Sequence, residues 1–157
     1  MPDKLKSALF NILRDEVRGM IVLDGFAGTG SVGIEALSRG AQKAVFIEES
    51  YQAVGVIKHN IEKCGAGERA RILAKEFNRA VIQLGQEKAC FDIIFLDPPY
   101  KLLDERNPLK VIKKRGILAA GGLIALRHHF KTRFEARYFR LRRQVTLGDD
   151  TLSFYQE

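Results

Sequence analysis

Apolar residues recur along this chain with two different periods. Leu5, Ala8, Leu9, Ile12 and Leu13 sit at helical spacing and predict an amphipathic opening helix. Met20-Ile21-Val22-Leu23 is a short apolar run, read as a first strand that ends at Asp24-Gly25. Residues 30–39 read as a helix stopped by Gly40. Ala44-Val45-Phe46-Ile47 predicts a second strand, closed by Glu48-Glu49. Ser50 is placed to cap a helix whose apolar face is Val54, Ile57 and Ile61, with a stop at Gly65. Arg71-Ile72-Leu73-Ala74 is a third strand, and Phe77, Ala80, Val81 and Leu84 mark the helix after it. Asp92 to Leu96 is the fourth strand. Asn107-Pro108 supplies a cap and first-turn pair for a helix running to Arg115. Leu123-Ile124-Ala125-Leu126 is the fifth strand. The tail is extended from Tyr138 to Val145, turns at Gly148-Asp149-Asp150 and returns with Leu152 and Phe154 on one face.

Strands alternating with helices make a parallel sheet with right-handed crossovers. The expected fold is therefore α/β. It is a mostly parallel seven-stranded sheet with helices on both faces and a C-terminal antiparallel hairpin. At 157 residues, with 46% apolar and 29% charged, the chain is expected to be one globular domain over residues 1–157. No apolar run approaches the roughly 20 residues that span a bilayer, so no membrane partner is expected. Lys4, Lys6 and Arg14 interrupt the first apolar cluster, which argues against a signal peptide. Cys64 and Cys90 form no ligand pattern and read as buried free thiols suited to a reducing cytoplasm. The histidines and cysteines lack the spacing of a structural zinc site.

Asp97-Pro98-Pro99-Tyr100 carries the most specific chemistry. It follows the buried run Ile93-Ile94-Phe95-Leu96, at the strand end where open α/β sheets bind ligands. Two prolines neither continue a ladder nor open a normal helical turn, so a stiff, extended exit is expected. The turn offers a carboxylate, free carbonyls and an aromatic ring, with few donors. That surface suits the planar amine of a nucleobase. Asp97 and a proline carbonyl would accept its two N–H groups, and Tyr100 would stack on the ring. The bland reading is a proline-rich turn that happens to carry Asp and Tyr.

The loop Asp24-Gly25-Phe26-Ala27-Gly28-Thr29-Gly30-Ser31-Val32-Gly33 contains G-x-G-x-x-G, with Glu48 about twenty residues beyond Gly28. Read mechanically, that is a dinucleotide fingerprint. Two details oppose it. Four residues intervene between the strand and the glycines, and Asp24 would set a carboxylate beside a pyrophosphate. An ammonium-bearing ligand fits better. S-adenosylmethionine is such a ligand: Asp24 would meet its amine and Glu48 its ribose diol. After the third strand, Glu76 is placed to accept an adenine amine and Phe77 to cover the ring. The plainer alternatives are a helix N-terminal acid for Glu76 and a core position for Phe77.

With these motifs in one chain, the sequence resembles the Rossmann-like S-adenosylmethionine-dependent methyltransferases. More narrowly it resembles the bacterial small-subunit ribosomal RNA guanine-N2 methyltransferase family. Leu9-Phe10-Asn11-Ile12-Leu13 and Glu35-Ala36-Leu37-Ser38-Arg39-Gly40 are the more family-specific stretches. The resemblance implies a target-base site at Asp97, Pro98, Pro99 and Tyr100. It implies a cofactor site at Asp24, Gly25, Phe26, Gly28, Gly30, Glu48, Glu76, Phe77 and Asp97. It implies a cytoplasmic enzyme that methylates guanine in ribosomal RNA or the small ribosomal subunit. Two departures stand out. Members usually open with a basic β-hairpin and an Arg-Pro-Thr segment, whereas this chain starts at Met1-Pro2-Asp3, so weak RNA affinity is expected. The family tends to place an acid just after the fifth strand, where Arg127-His128-His129 stand here. A DNA adenine-N6 or cytosine-N4 methyltransferase, or a non-catalytic cofactor-binding RNA-binding protein, are the alternatives.

Charge adds a partner class. Between Lys101 and Leu147 thirteen basic residues face three acidic ones, so that stretch is more positive than the whole chain at +7. A polyanion such as RNA fits this distribution, as does a basic face kept for solubility.

Overall fold

Alternation along the strands sorts apolar side chains onto two faces, and each face receives its own helices. The computed structural model describes residues 1–157 apart from Glu135 and the side chains of Tyr100 and Asp104. The strands are β1 (Ile21–Asp24), β2 (Lys43–Ile47), β3 (Ala70–Leu73), β4 (Phe91–Leu96), β5 (Leu118–His129), β6 (Arg140–Leu147) and β7 (Asp150–Gln156). The helices are α1 (Asp3–Leu13), α2 (Ser31–Ser38), α3 (Tyr51–Lys63), α4 (Phe77–Gln86), α5 (Tyr100–Glu105) and α6 (Pro108–Arg115). Val22, Ile93 and Phe95 bury against α1, α2 and α3 in one cluster, with Leu9, Ala36 and Ile57. Their strand neighbours Leu23, Ile94 and Leu96 bury on the other side with Val81, Leu84 and Ile112 of α4 and α6.

The strand order is β3-β2-β1-β4-β5-β7-β6. β1 pairs parallel with β2 and with β4, and the β2–β3 and β4–β5 pairs are also parallel. β7 runs antiparallel to both β5 and β6, so the sheet is mixed. The last strand in sequence lies inside the sheet and β6 lies outermost. Side-chain chemistry accounts for that order. Leu152, Ser153, Phe154 and Tyr155 of β7 are buried, whereas β6 carries Arg140, Arg142 and Arg143 in solvent. Charged side chains on an edge strand also discourage pairing with another chain.

Local chemistry sets the helix ends. Ser50 Oγ accepts from Ala53 N at 3.3 Å, and Asn107 Oδ1 accepts from Leu109 N at 3.0 Å ahead of Pro108. Among the described residues no helix is long and apolar enough to cross a membrane.

Three expectations are corrected. The fifth strand is longer than its apolar core, because Arg127, His128 and His129 continue the ladder opposite Leu152, Thr151 and Asp150. Cys64 and Cys90 are exposed, not buried. Cys64 caps the solvent end of α3, and Cys90 stands just before β4 begins. The proline turn is extended only as far as Pro99, at φ −57° and ψ 147°; α5 starts at the next residue. Proline tolerates a helix start because the first N–H groups of a helix lack intrahelical partners in any case.

Gly33 is where α2 meets β2. A Cβ there would lie 2.3 Å from Cε1 of Phe46, whose ring is completely buried. Gly33→Ala should therefore destabilise the domain by about 1–3 kcal/mol through overpacking, read as a lower urea midpoint with an unchanged slope.

Candidate active site

The parallel strands end on one rim, and β1 and β4 are the pair from which the chain order departs in opposite directions. Such a switch point opens a crevice at the carboxyl ends of the strands. A cavity of about 640 Å³ occupies it, lined by Asp24, Phe26, Gly28, Glu48, Glu76, Phe77 and Asp97 among others. The sequence-predicted cofactor residues, dispersed from 24 to 97, therefore share one cavity wall. Gly25 and Ala27 line it too. Gly30 is set just behind, as the left-handed residue (φ 81°) that turns the loop into α2.

Asp24 ends β1 and is 4% exposed. Gly30 has no side chain to cap α2, and Asp24 supplies the missing acceptor: its Oδ2 takes the Gly33 N–H at 3.0 Å. Burial raises its pKa from 3.8 to about 7, with the Asp97 and Glu48 charges adding to the rise and the Gly33 hydrogen bond opposing it. The carboxylate is thus poised to ionise fully when a cation arrives.

Glu48 holds the rim of the glycine loop. Its Oε1 accepts from Gly28 N at 2.8 Å and its Oε2 from Ser50 N at 2.9 Å. Glu76 serves as the helix acid of the plainer reading: it caps α4 by accepting from Arg79 N at 3.0 Å, and it pairs with Arg106 at 3.3 Å. Phe77 is 4% exposed and belongs to the core, yet its ring stacks beneath Phe26 with centroids 4.5 Å apart at 15°. The two rings together form an apolar wall of the cavity. Glu48 and Glu76 have lone pairs beyond these bonds, so scaffold duty does not preclude a ligand.

Beyond Asp97 lies a second, smaller cavity of about 260 Å³. Asp97, Pro98, Pro99, Leu103, Arg127, His128 and His129 line it. Asp97 and Pro99 border both cavities. The Tyr100 side chain, expected to stack on a base, lies outside the described residues.

Asp97 does not stand alone. Arg127 Nη1 donates to both its oxygens, at 3.0 and 3.3 Å, and the Met1 amine lies 3.3 Å from Oδ2. Arg127 also donates from Nε to Asp150 Oδ1 at 3.2 Å, and its Nη2 lies in ion-pair contact with the same oxygen at 3.1 Å. Burial works against the Arg127 cation, but Asp97 and Asp150 outweigh it and hold the guanidinium above its usual pKa. Sequence reasoning missed this pair. The available signal was Arg127 directly after the fifth apolar run, beside the Asp97 strand in a parallel sheet.

His128 is buried. Its Nδ1 is 3.0 Å from the His129 carbonyl, which only accepts, so Nδ1 carries the proton and Nε2 accepts from Ser153 Oγ at 2.7 Å. Burial lowers its pKa. It ties β5 to β7 as a neutral structural group. Among the described residues no cluster of three or more potential ligands marks a metal site.

The Asp24 shift has a stability consequence. Folded Asp24 holds its proton up to about pH 7, whereas the unfolded side chain releases it near 3.8. The native state binds more protons between those values, so this group's contribution to stability is lost as pH rises from about 4 to about 7. Asp24→Asn keeps an acceptor for Gly33 and removes the ionisation. Its urea stability curve should fall less steeply than wild type across that window, and parallel curves would place the titration elsewhere.

Comparison with known proteins agrees with this architecture. The profile of a family described as conserved hypothetical protein 95 matches residues 1–156. The ribosomal RNA small subunit methyltransferase D of Haemophilus influenzae is 37% identical over 119 residues, an alignment covering 69% of this chain and 61% of that protein. The chain thus spans about three fifths of the length of that relative. A conserved hypothetical protein of Streptococcus pyogenes superposes with a TM-score of 0.86 at 28% identity, over 96% of this chain and 93% of that one. An RNA methyltransferase of Salinibacter ruber, solved in complex with S-adenosyl-L-homocysteine, shares the fold at a TM-score of 0.75 and 15% identity, covering 99% of this chain and 91% of that one. The Rossmann-like methyltransferase fold, the profile match and the small-subunit methyltransferase relative agree: this chain belongs to the conserved hypothetical protein 95 family.

Proposed function

We propose that this chain transfers a methyl group from S-adenosylmethionine to the exocyclic N2 amine of a guanine in small-subunit ribosomal RNA. The observation that carries the reading is the pair of cavities sharing Asp97 and Pro99 as a common wall. A methyl donor in the larger and a base in the smaller would meet at that wall.

In the larger cavity Asp24 faces the donor's ammonium, which offsets the burial of the carboxylate and draws it into the charged form. Glu48 accepts the ribose hydroxyls. Glu76 takes the adenine amine, and Phe26 over Phe77 supplies the apolar surface against the ring. Gly25, Gly28 and Gly30 let the loop backbone approach the ligand. In the smaller cavity Asp97 and the Pro98 carbonyl accept the two N–H groups of the target amine. That pulls the amine lone pair out of conjugation and towards the methyl carbon. The sulfur–carbon bond breaks as the nitrogen–carbon bond forms. The sulfonium leaves as a neutral thioether, and the methylated amine then releases a proton to water. Alignment of the bound reactants can contribute about 7–11 kcal/mol. The base must leave its stack, at a cost of a few kcal/mol that is smallest in a loop.

The basic stretch supplies the RNA side of the reading. Arg140, Arg142 and Arg143 stand exposed on the outer strand β6. Lys113 and Arg115 close α6, where Lys113 also reaches Glu157 at 2.7 Å.

Two measurements check this. Asp97→Ala should lower methyl transfer to RNA about a hundredfold or more while changing S-adenosylhomocysteine affinity little, by calorimetry. Wild-type turnover in that variant would remove Asp97 from the reaction. RNA binding should weaken with salt by a slope of about −0.7 to −0.9 in log K against log salt for each phosphate neutralised. Replacing Lys113, Lys114 and Arg115 together should flatten that slope, and an unchanged slope would assign them to solubility.

A further inference from the structure

We propose that Arg127 selects guanine, by donating an N–H to the carbonyl oxygen O6 of the base whose N2 amine Asp97 accepts. This rests on the guanine-N2 reading above and names a specificity residue for it.

Three observations carry it. Arg127 lines the smaller cavity together with Asp97, Pro98 and Pro99. Its guanidinium is held from two sides, by Asp97 through Nη1 and by Asp150 through Nε and Nη2. It also has a donor to spare. A guanidinium carries five N–H groups. Nε spends its single N–H on Asp150, and Nη2 has two hydrogens for its one contact to Asp150 Oδ1. Among the described residues one Nη2 hydrogen is left over, on a side chain that keeps 21% of its surface exposed.

The pair therefore presents an acceptor, Asp97, next to a donor, Arg127. The amine-bearing bases differ in how they meet such a pair. Guanine carries, along one edge, the N2 amine, the N1–H donor and the O6 acceptor. Its two donors face the carboxylate and its acceptor faces the guanidinium. Adenine has an amine beside a ring nitrogen lone pair and no carbonyl. Cytosine has a carbonyl, but a ring lone pair stands between it and the amine and would lie against the Asp97 charge. A site built to hydrogen-bond one edge rejects analogues that leave its buried groups unpaired.

The test uses RNA in which the mapped target guanine is replaced by 2-aminopurine, which keeps the C2 amine but lacks O6 and, with it, the N1–H. Single-turnover kcat/KM is measured on both RNAs for wild type, Arg127→Gln and Arg127→Lys, with S-adenosylhomocysteine affinity as the control for folding. Wild type should favour guanine by about tenfold or more. Arg127→Gln should lower the guanine rate and shrink the ratio several-fold, leaving only the part owed to N1–H against Asp97, with cofactor affinity unchanged. Arg127→Lys, which keeps the charge and a donor, should fall between and serves if the glutamine variant does not fold. If both rates fall together and the ratio holds, Arg127 only orients Asp97 and the inference is overturned. Wild type that uses both bases equally well overturns the inference and leaves the proposed reaction standing. Wild type that methylates no guanine overturns the proposed reaction and the inference with it.

Discussion

The buried hydrogen bond from Gly33 N to Asp24 is the contact on which the site depends. It joins the carboxyl end of the central strand β1 to the first turn of α2, and so closes the glycine loop between them. Gly33 has to be glycine because the Phe46 ring occupies the space a side chain would need. Asp24 has to be an acceptor because α2 starts on a residue with no side chain. Removing the acceptor would leave a buried N–H unpaired, which costs about 1–3 kcal/mol. Keeping it places a carboxylate where water hardly reaches, and its raised pKa is the electrostatic cost of that design. A cationic ligand is the natural complement to such a group.

The other acids of the rim follow a related economy. Glu48 spans Gly28 and Ser50, Glu76 caps α4, and Asp97 is clasped by Arg127. Each therefore has its direction set before any ligand enters. Preorganisation of this kind lowers the cost of ordering side chains on binding. It also means that substituting any of them disturbs both the fold and the site, so activity losses need a stability control.

The edge carrying β7 and β6 extends the same logic sideways. β7 takes the protected position and brings Asp150 to the rim, where it holds the far side of Arg127. Arg127 and Asp150 lie on β5 and β7, and Asp97 directly follows the neighbouring β4, all at the same end of the sheet. The smaller cavity is therefore a product of strand order. β6, left outside, carries arginines that keep an open edge in solvent and offer a positive surface to a polyanion.

Local sequence was enough to place the elements and to single out several of the residues that line the two cavities. Apolar runs and spacing, with cap and glycine-stop residues for α2 and α6 and an extended tail for β6, pointed to the strands and every helix but α5, because burial on one or two faces imposes a period that local residues record. The Asp24 to Gly33 loop, Glu48, Glu76-Phe77 and Asp97-Pro98-Pro99 were legible because turns at strand ends need particular residues at particular steps. The features that local sequence did not reveal involve partners far apart in the chain. Arg127 meets Asp97 thirty positions away, and the polar tail of β5 is a strand only because β7 pairs with it. Glu76 reads alike as a cap or a ligand until its Arg79 N–H is seen. The cysteines looked buried by residue type, yet each sits at an element's end in solvent. Periodicity reports what one segment buries. It carries no record of which segment lies beside it, and the Asp97–Arg127–Asp150 array is made of that adjacency.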